Sequence, residues 1–206
     1  MNSDSSFHRY FIINKPYNMV SQFISSHDVR LLGHLDFTFP AGTHAIGRLD
    51  NHSEGLLILT TNKKVTRLLF DPAKKHERSY LVMVKGLVTD EQLLQLQEGV
   101  HITIKGDESY VSVPVAVEKV LDVKEHYLHL DDLRQQYNHT WLLITLTEGK
   151  FHQVRKMCMA INHRCQRLIR LSIGDLKLGA LPPGHVQELN ETAFFQLIGI
   201  EYPAAN

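Results

Sequence analysis

The chain has 206 residues, of which 43% are hydrophobic and 21% are charged. This composition is typical of a globular protein and excludes a disordered or fibrous chain, and the length fits one large domain or two small lobes. Lys and Arg together number 22, as do Asp and Glu, so the formal net charge is zero. A uniformly polybasic binder is therefore excluded, although a local basic surface is not.

Two features of the sequence concern its cellular location. The two cysteines, Cys158 and Cys165, have six residues between them, which fits neither a CxxC redox pair, nor a zinc knuckle, nor a disulfide framework. No uncharged apolar run approaches the ~20 residues that span a bilayer. We therefore predict a cytoplasmic protein with reduced thiols and no membrane association.

Alternating and apolar runs predict the first elements in chain order. They indicate four strands before residue 90, at 8–14, 43–49, 55–61 and 78–85. Asn62 is a suitable N-cap for a helix over about 63–70. Thr89 and Gln92 have the spacing of a capping box, ahead of a helix that ends before Gly99. The stretch between the first two strands shows no pattern from which an element can be placed.

The second half of the chain is predicted to be mostly β-structure, followed by two helices. Residues 100–147 contain short strand-like runs such as YVSVPVAVEKV and WLLITLT, separated by polar turns. One apolar helix stripe is formed by Val154, Met157, Cys158 and Ile161. Asn190 is a suitable N-cap for a last helix over about 191–198. Many strands with a few helices predict an α+β fold built on an antiparallel sheet.

Charge is distributed unevenly along the chain. Residues 149–170 hold six basic residues and no acid, whereas residues 118–132 hold five acids and two basic residues. The basic segment is either a solvated helix face or a surface that binds a polyanion, and composition alone does not distinguish the two. Arg155 lies at the border of the apolar stripe, where it can reach inward and hold a carboxylate through a bidentate pair.

The segment GRLDNHSEGLLILTT at 47–61 places an acid on a turn. Asp50 lies between two apolar strands, where a side chain is held rigidly but left open to a ligand. Arg48 lies two residues earlier and, on an extended chain, shares a face with Asp50. The alternative is that Asp50 and Asn51 form an Asx-turn with their own backbone. Ser53 is interpreted as a local capping hydroxyl, because no GxSxG surrounds it.

Neither a metal nor a nucleotide site is predicted. The sequence contains no HExxH, and His152 and His163 are eleven residues apart, which does not place them on one side of a helical turn. No Cys and His cluster has zinc spacing, and no Walker loop or GxGxxG occurs. We therefore expect neither a metal nor a cofactor.

Several segments, in order, resemble the RsuA-type family of pseudouridine synthases. GRLDNHSEGLLILTT resembles the family signature GRLD-x-x-SEGLL-x-LT, and IINKP at 12–16 resembles its opening strand and KP turn. RSYLVMVKG at 78–86 is similar to its (K/R)-x-Y-x-V-x-V-x-G strand. EGKFHQVRKM at 148–157 resembles its EG-(K/R)-x-HQVR-(K/R)-M segment, and LIRLSIGDLKLGALPPG at 168–184 resembles its closing run.

The resemblance implies a single catalytic domain over residues 1–206, in which a mixed, mostly antiparallel sheet with flanking helices carries an active-site cleft across it. It implies isomerisation of uridine to pseudouridine in RNA, with Asp50 as the nucleophile and Tyr80 stacked on the uracil. Arg155 is expected to pair with Asp50, because a guanidinium favours an ionised carboxylate, and Leu168 to pack under the base. Further RNA contacts are expected from Arg48, Lys150, His152, Gln153 and Lys156.

The resemblance also indicates the kind of RNA. No separate N-terminal RNA-binding domain is expected, because Ile12 already matches the catalytic region. Family members without that domain resemble the RluE-type enzymes, which act on large-subunit ribosomal RNA. We therefore expect a monomer that acts on this RNA, free or in a pre-ribosomal particle. GHVQEL at 184–189 departs from the family's usual G-x-x-R-x-L and places Gln187 where arginine is common, which removes one expected RNA contact.

Three alternative functions stay open at this point. A non-catalytic RNA-binding protein on the same fold is disfavoured because Asp50, Tyr80 and Arg155 are all present. A pseudouridine synthase acting on tRNA is the second alternative. The third is a hydrolase, which would need a second carboxylate such as Glu54 and would release free uracil.

The basic segment 149–170 is expected to form the RNA-binding face. Phosphate contacts make affinity fall with salt, by a logarithmic slope of roughly 0.7 per neutralised phosphate on single strands. Removal of the charge at Lys156, Arg164 or Arg167 is therefore expected to weaken binding and to flatten that slope. The alternative is that these side chains form internal salt bridges.

Overall fold

The protein is represented by a computed structural model that describes residues 8–71, 73–104, 106, 108–130 and 138–201. Within these residues the strands are β1 Tyr10–Lys15, β2 His44–Ile46, β3 Glu54–Thr60, β4 Arg78–Lys85, β5 Val100–Thr103, β6 Ser109–Ser112, β7 Ala116–Val120, β8 His139–Leu146, β9 Cys165–Ile173, β10 Leu176–Lys177 and β11 Val186–Leu189. The α-helices are α1 Lys64–Leu69, α2 Asp90–Glu98, α3 Gln153–Ala160 and α4 Glu191–Leu197.

One large sheet organises the molecule. Its strands lie in the order β11-β1-β3-β9-β4-β8-β7, with β10 paired to β9 and β2 paired to β3, and β5 and β6 form a separate hairpin. Strands β3 and β9 run parallel, and the other pairs of the described sheet are antiparallel. The predicted α+β fold, with a mixed and mostly antiparallel sheet and flanking helices, is confirmed.

The alternation of side chains along β1 explains how the core is divided. Tyr10 and Ile12 pack on one face of the sheet, in a cluster that includes the aromatic residues of α4. Phe11 and Ile13 pack on the opposite face, as the two-residue period of a strand requires. All six residues of β1 are buried, because packed clusters cover both faces of the strand while β3 and β11 cover its edges.

The stretch of chain without a predicted element covers the second face of β1 and β3. It contains one 3₁₀ turn, Leu32–His34, and otherwise extended backbone and bends. Met19, Leu32 and Leu35 are buried against the β1 and β3 side chains of that face. Apolar residues spaced irregularly along a loop give no helix or strand period, which is why the sequence did not place this layer.

The helix predictions agree with the structure to within about one residue at each end. The capping box of α2 is present, since Thr89 Oγ1 accepts from the N–H of Gln92 and Gln92 Oε1 accepts from the N–H of Thr89. Asn190 Oδ1 accepts from the N–H of Ala193 and caps α4. The N-cap residue of α1 is Lys63, one residue after the predicted Asn62, whose Oδ1 accepts from the N–H of Lys64 at 3.0 Å.

Strand β2 is shorter than the predicted 43–49, because Gly47 adopts φ +61° and turns the chain toward the cleft. In α3 the predicted apolar stripe is buried throughout, from Val154 to Ile161.

Among the helices in the described part of the chain, none combines the length and the apolarity needed to cross a membrane.

Candidate active site

A cleft of about 590 Å³ is lined by the β2–β3 turn and by residues of β4, β8 and β9. Its size is typical of a site for a small molecule or a single base. Its wall contains seven of the predicted site residues, namely Arg48, Asp50, Tyr80, Lys150, His152, Gln153 and Leu168. Arg155 and Lys156 do not belong to the wall of the cleft.

Asp50 lies in the tight turn between β2 and β3. A main-chain hydrogen bond of 3.0 Å from the N–H of Ser53 to the carbonyl of Asp50 closes this turn. The turn therefore does not require the Asp50 carboxylate, in contrast to the Asx-turn alternative. The side chain is 37% exposed, and its Oδ2 is 3.4 Å from Nε2 of His152. His152 has φ +55°, which is uncommon for a residue other than glycine and places strain beside the carboxylate.

The loop that carries Asp50 is held by side chains that bind its main-chain carbonyl groups. Ser21 Oγ donates to the carbonyl of Leu49 at 2.7 Å and accepts from the N–H of the same residue at 3.0 Å. Lys15 Nζ donates to the carbonyl of Asn51 at 3.3 Å. These contacts fix the backbone immediately before and after Asp50 and leave its carboxylate directed into the cleft.

Arg155 also holds this loop, and it is not the ionic partner of Asp50. Its Nη2 donates to the carbonyl of His52 at 2.8 Å and to Ser53 Oγ at 3.3 Å, while Nη1 lies 3.7 Å from Cys165 Sγ. Among the described residues no ion pair within 4.0 Å joins Arg155 to Asp50. The predicted pairing is therefore wrong for this structure, because the guanidinium is already engaged by the turn that follows the acid.

Arg170 completes the support of the loop, and the sequence did not identify it as a site residue. Its guanidinium donates to the carbonyl of Gly47 at 2.9 Å and to that of Leu56 at 2.8 Å. Burial lowers the pKa of Arg170, and the electrostatic interaction with the neighbouring Tyr80 opposes that effect. The sequence does contain a signal for Arg170, because this arginine lies among the apolar residues of LIRLSI at 168–173. A charged side chain at a buried position needs hydrogen-bond partners for its donors.

Tyr80 projects into the cleft from β4 and is largely buried. The register of β4 against β9 shifts beside it, since Ser79 pairs with Ser172 but Tyr80 pairs with Arg170. A β-bulge of this kind bends the strand and changes the direction of a side chain, and bulges are common next to active sites. Leu168, on β9, forms a buried apolar part of the same wall.

Gln153 holds the entrance to α3 rather than offering its amide to a ligand. Its Nε2 donates to Ser112 Oγ at 2.7 Å and to Glu148 Oε1 at 2.6 Å, and its Oε1 accepts from the N–H of Lys150 at 2.8 Å. The side chain is buried. The expected direct RNA contact of Gln153 is therefore replaced by an internal network. In that network Glu148 accepts from Tyr110, which raises the pKa of the tyrosine.

The basic segment 149–170 divides into exposed and internal groups. Lys150 and Arg164 are exposed, and Lys156 is half-buried with its Nζ donating to the carbonyl of Thr103 at 2.6 Å. Arg167, in contrast, forms a bidentate pair with Glu54 at 2.7 and 2.8 Å. The expected phosphate contact of Arg167 is therefore wrong, because its two donors are held by a carboxylate more than a hundred residues away in sequence.

The same pair removes Glu54 from consideration as a second catalytic carboxylate. Both of its oxygens accept from Arg167, and it is buried outside the wall of the cleft. Within the described ranges, no group of three or more His, Cys, Asp or Glu side chains is arranged to hold a metal ion.

Lys15 is a further site residue that the sequence did not identify. Besides Asn51, its Nζ donates to the carbonyl groups of Pro16 at 3.0 Å and Met19 at 2.5 Å. Burial lowers the pKa of Lys15 to about 8, and the nearby charges of Glu54 and Asp50 oppose this effect.

This pKa predicts a pH dependence of the free energy of unfolding. Below pH 8 the amine carries its proton in the folded and the unfolded chain, so the cost of burying the charge is fully present. Between pH 8 and the ordinary lysine pKa of 10.5, the unfolded chain binds this proton and the folded chain does not. Stability is therefore expected to rise across that window, by up to about 3 kcal/mol, relative to a Lys15→Met variant. Urea unfolding of both proteins between pH 7 and 10.5 measures the difference, and parallel curves would contradict the assignment.

Comparison with known proteins identifies the family. The family described as RNA pseudouridylate synthase matches residues 9–160. The ribosomal large subunit pseudouridine synthase E of Vibrio parahaemolyticus is 34% identical over 183 residues, which cover 88% of this chain and 74% of the relative. The enzyme of the same name from Xanthomonas axonopodis pv. citri is 35% identical over 175 residues, covering 84% of this chain and 89% of the relative.

A solved structure agrees with these relatives. A crystal structure of a pseudouridylate synthase superposes with a TM-score of 0.72 at 27% identity, covering 92% of this chain and 74% of that one. The chain belongs to the RNA pseudouridylate synthase family. It is an RNA pseudouridine synthase, and both the family and the enzyme class predicted from its motifs are confirmed.

Proposed function

We propose that this protein isomerises one specific uridine of large-subunit ribosomal RNA, with Asp50 as the reacting carboxylate. The observation that carries the proposal is the placement of Asp50. Its carboxylate is open to the cleft, while the backbone around it is fixed through the carbonyl groups of Gly47, Leu49 and neighbouring residues. The names of the two relatives from Vibrio parahaemolyticus and Xanthomonas axonopodis, which refer to the ribosomal large subunit, support this choice of RNA.

A fixed carboxylate beside an open cavity fits the chemistry of this isomerisation. The bond from N1 of uracil to C1′ of the ribose must break, the base must turn, and C5 must bond to C1′. The proton on C5 then leaves, and N1 finally carries a proton, so the atoms balance without a co-reactant. Asp50 either attacks C1′ or removes a proton from the sugar, and both routes need it ionised and held in place. Preorganised positioning of this kind lowers the reorganisation needed during the reaction.

The walls of the cleft suit a base that has left its stack. Tyr80 offers an aromatic ring and Leu168 an apolar surface, which together would hold the detached uracil while it turns. Extruding the uridine costs a few kcal/mol, and less when it lies in a loop. The hydroxyl of Tyr80, which lines the cleft together with Arg170, is the group we assign to the transfer of the C5 proton.

Basic groups at the mouth of the cleft complete the proposal. Arg48 and Lys150 are exposed and border the cavity, so they can contact phosphates on either side of the uridine. Lys156 and His152 are assigned to the same strand of RNA, and Arg155 to positioning of the catalytic turn. We assign this activity to a monomer with one catalytic domain, acting in the cytoplasm.

The substrate is tested by mapping pseudouridine in ribosomal RNA from a strain that lacks this gene and from its parent. We expect one pseudouridine of the large-subunit RNA to disappear in the deletion strain and to return with the wild-type gene, but not with an Asp50→Asn copy. An unchanged ribosomal map together with a lost pseudouridine in tRNA would overturn the assignment of the RNA. Restoration by the Asp50→Asn copy would overturn the assignment of the carboxylate.

A further inference from the structure

Two aromatic rings remain exposed next to the loop that carries Asp50. Phe151 is 71% exposed and is stacked on the imidazole of His152, with 3.9 Å between ring centroids and 17° between planes. Tyr17 is 53% exposed and is stacked on the imidazole of His52 at 5.3 Å and 25°. Each ring is thus backed by a histidine and presents much of its surface to solvent.

One ring is linked to the Asp50 carboxylate through its histidine, and the other is linked to the loop that carries Asp50. His152, which supports Phe151, has its Nε2 3.4 Å from Asp50 Oδ2. Tyr17 is supported by His52, which lies two residues after Asp50. The carbonyl of His52 accepts from Arg155 at 2.8 Å. The two platforms therefore come from different parts of the chain, the 151–152 turn and the 17–52 pair, and both border the Asp50 loop.

Polar and charged side chains lie near each ring, while Phe151 stays 71% and Tyr17 53% exposed. Lys156 places its Nζ 5.4 Å from the centre of the Phe151 ring while donating to the carbonyl of Thr103. Asn51, whose neighbour His52 supports Tyr17, donates to Asn18 Oδ1 at 3.1 Å. Exposed aromatic rings held rigidly beside positive charge are the means by which proteins bind unpaired nucleotides, since every base has a face that can stack.

We propose that Phe151 and Tyr17 stack on the two bases that flank the target uridine in a single-stranded segment of RNA. This inference rests on the proposed function of the cleft, because the uridine between the two stacked bases is the one delivered to Asp50. Stacking does not depend on base identity, so these platforms select unpaired flanks rather than a flanking sequence. The two bases beside the uridine would then each stack on a protein ring after the uridine has left the strand.

The test uses a nine-nucleotide single-stranded RNA with a central uridine and 2-aminopurine on one side or the other, at low salt. Binding of the wild-type protein is expected to quench the probe at both flanking positions. Phe151→Leu and Tyr17→Leu keep an apolar side chain but remove the ring, and each is expected to abolish quenching at one position and to weaken binding about 10-fold. Phe151→Tyr and Tyr17→Phe keep a ring and are expected to restore both signals.

A matched control and a cycle with modified RNA make the test specific. Leu121 is 98% exposed, and Leu121→Ala is expected to bind and to quench like the wild type. An abasic nucleotide at the flank that a platform contacts should weaken wild-type binding about 10-fold, but should add almost nothing to the corresponding leucine variant. Wild-type quenching at neither flank, or leucine variants indistinguishable from wild type, would overturn the proposal. Failure of the proposed function is seen separately, as quenching that persists while no pseudouridine forms.

Discussion

Substitution of Asp50 by asparagine is expected to abolish pseudouridine formation and to leave the free energy of unfolding within about 0.5 kcal/mol of the parent. The hydrogen bond that closes the turn uses the carbonyl of Asp50, and the contacts of Lys15 and Arg155 are made to its neighbours. The loop can therefore keep its shape without the carboxylate. Loss of a nucleophile typically costs on the order of 10⁴- to 10⁶-fold in rate.

The measurement is pseudouridine formed in unmodified ribosomal RNA under single-turnover conditions, with unfolding by urea measured on the same samples. Asp50→Ala provides a second variant that cannot revert by deamidation and is expected to behave in the same way. Full activity in either variant would remove Asp50 from the mechanism. Free uracil among the products of the wild type would instead indicate hydrolysis, for which Glu54, held by Arg167, offers no second carboxylate.

The helices and most of the strands before residue 147 were predictable because their signals are local, whereas β9, β10 and β11 were not predicted from a pattern. β4 occupies Arg78–Lys85, the range that its alternating pattern predicts, and α2 begins at the predicted capping box and ends before Gly99. The layer around Met19 and Leu32 was not predictable, because its apolar residues pack on the sheet from irregular backbone. A local pattern reports which face of a regular element is buried, and it carries no information on a loop that folds over the other face.

The candidate site was predictable in the groups that we propose to react and not in the side chains that support them. Asp50 and Tyr80 were found from motifs, and both belong to the same cleft. The supports are side chains that bind main-chain carbonyl groups, as Arg155 does with His52 and Arg170 with Gly47. Every residue has a carbonyl group, so residue types at the acceptor position give no signal. Counts of charged residues along the sequence are misleading for a related reason. Arg167 adds to the basic residues of 149–170, but its charge is paired with that of Glu54, which lies 113 positions earlier in the sequence.

Gly55 shows how closely two strands must approach to assemble this site. It has φ +95° in the SEGLL segment and pairs with Arg170 where β3 and β9 run parallel. A Cβ atom at this position would lie 2.3 Å from the carbonyl oxygen and 2.8 Å from the nitrogen of Arg170. These are main-chain atoms, so the clash cannot be relieved by a side-chain rotation. The absence of a side chain at Gly55 therefore allows the Arg170 guanidinium to reach the carbonyl groups of Leu56 and Gly47.

Gly55→Ala is accordingly expected to lower the free energy of unfolding by more than about 3 kcal/mol and to reduce pseudouridine formation in whatever folded fraction remains. The backbone conformation alone accounts for about 1–3 kcal/mol, and the clash adds to it by separating β3 from β9. Gly42→Ala is the matched control, because Gly42 has φ +82° with no heavy atom within 4 Å of an added Cβ. The control should show the conformational cost and unchanged activity when both variants are compared by urea unfolding and single-turnover assay. If the two variants lose equal stability and Gly55→Ala retains full activity, then close contact between β3 and β9 is not what holds Asp50 opposite Tyr80.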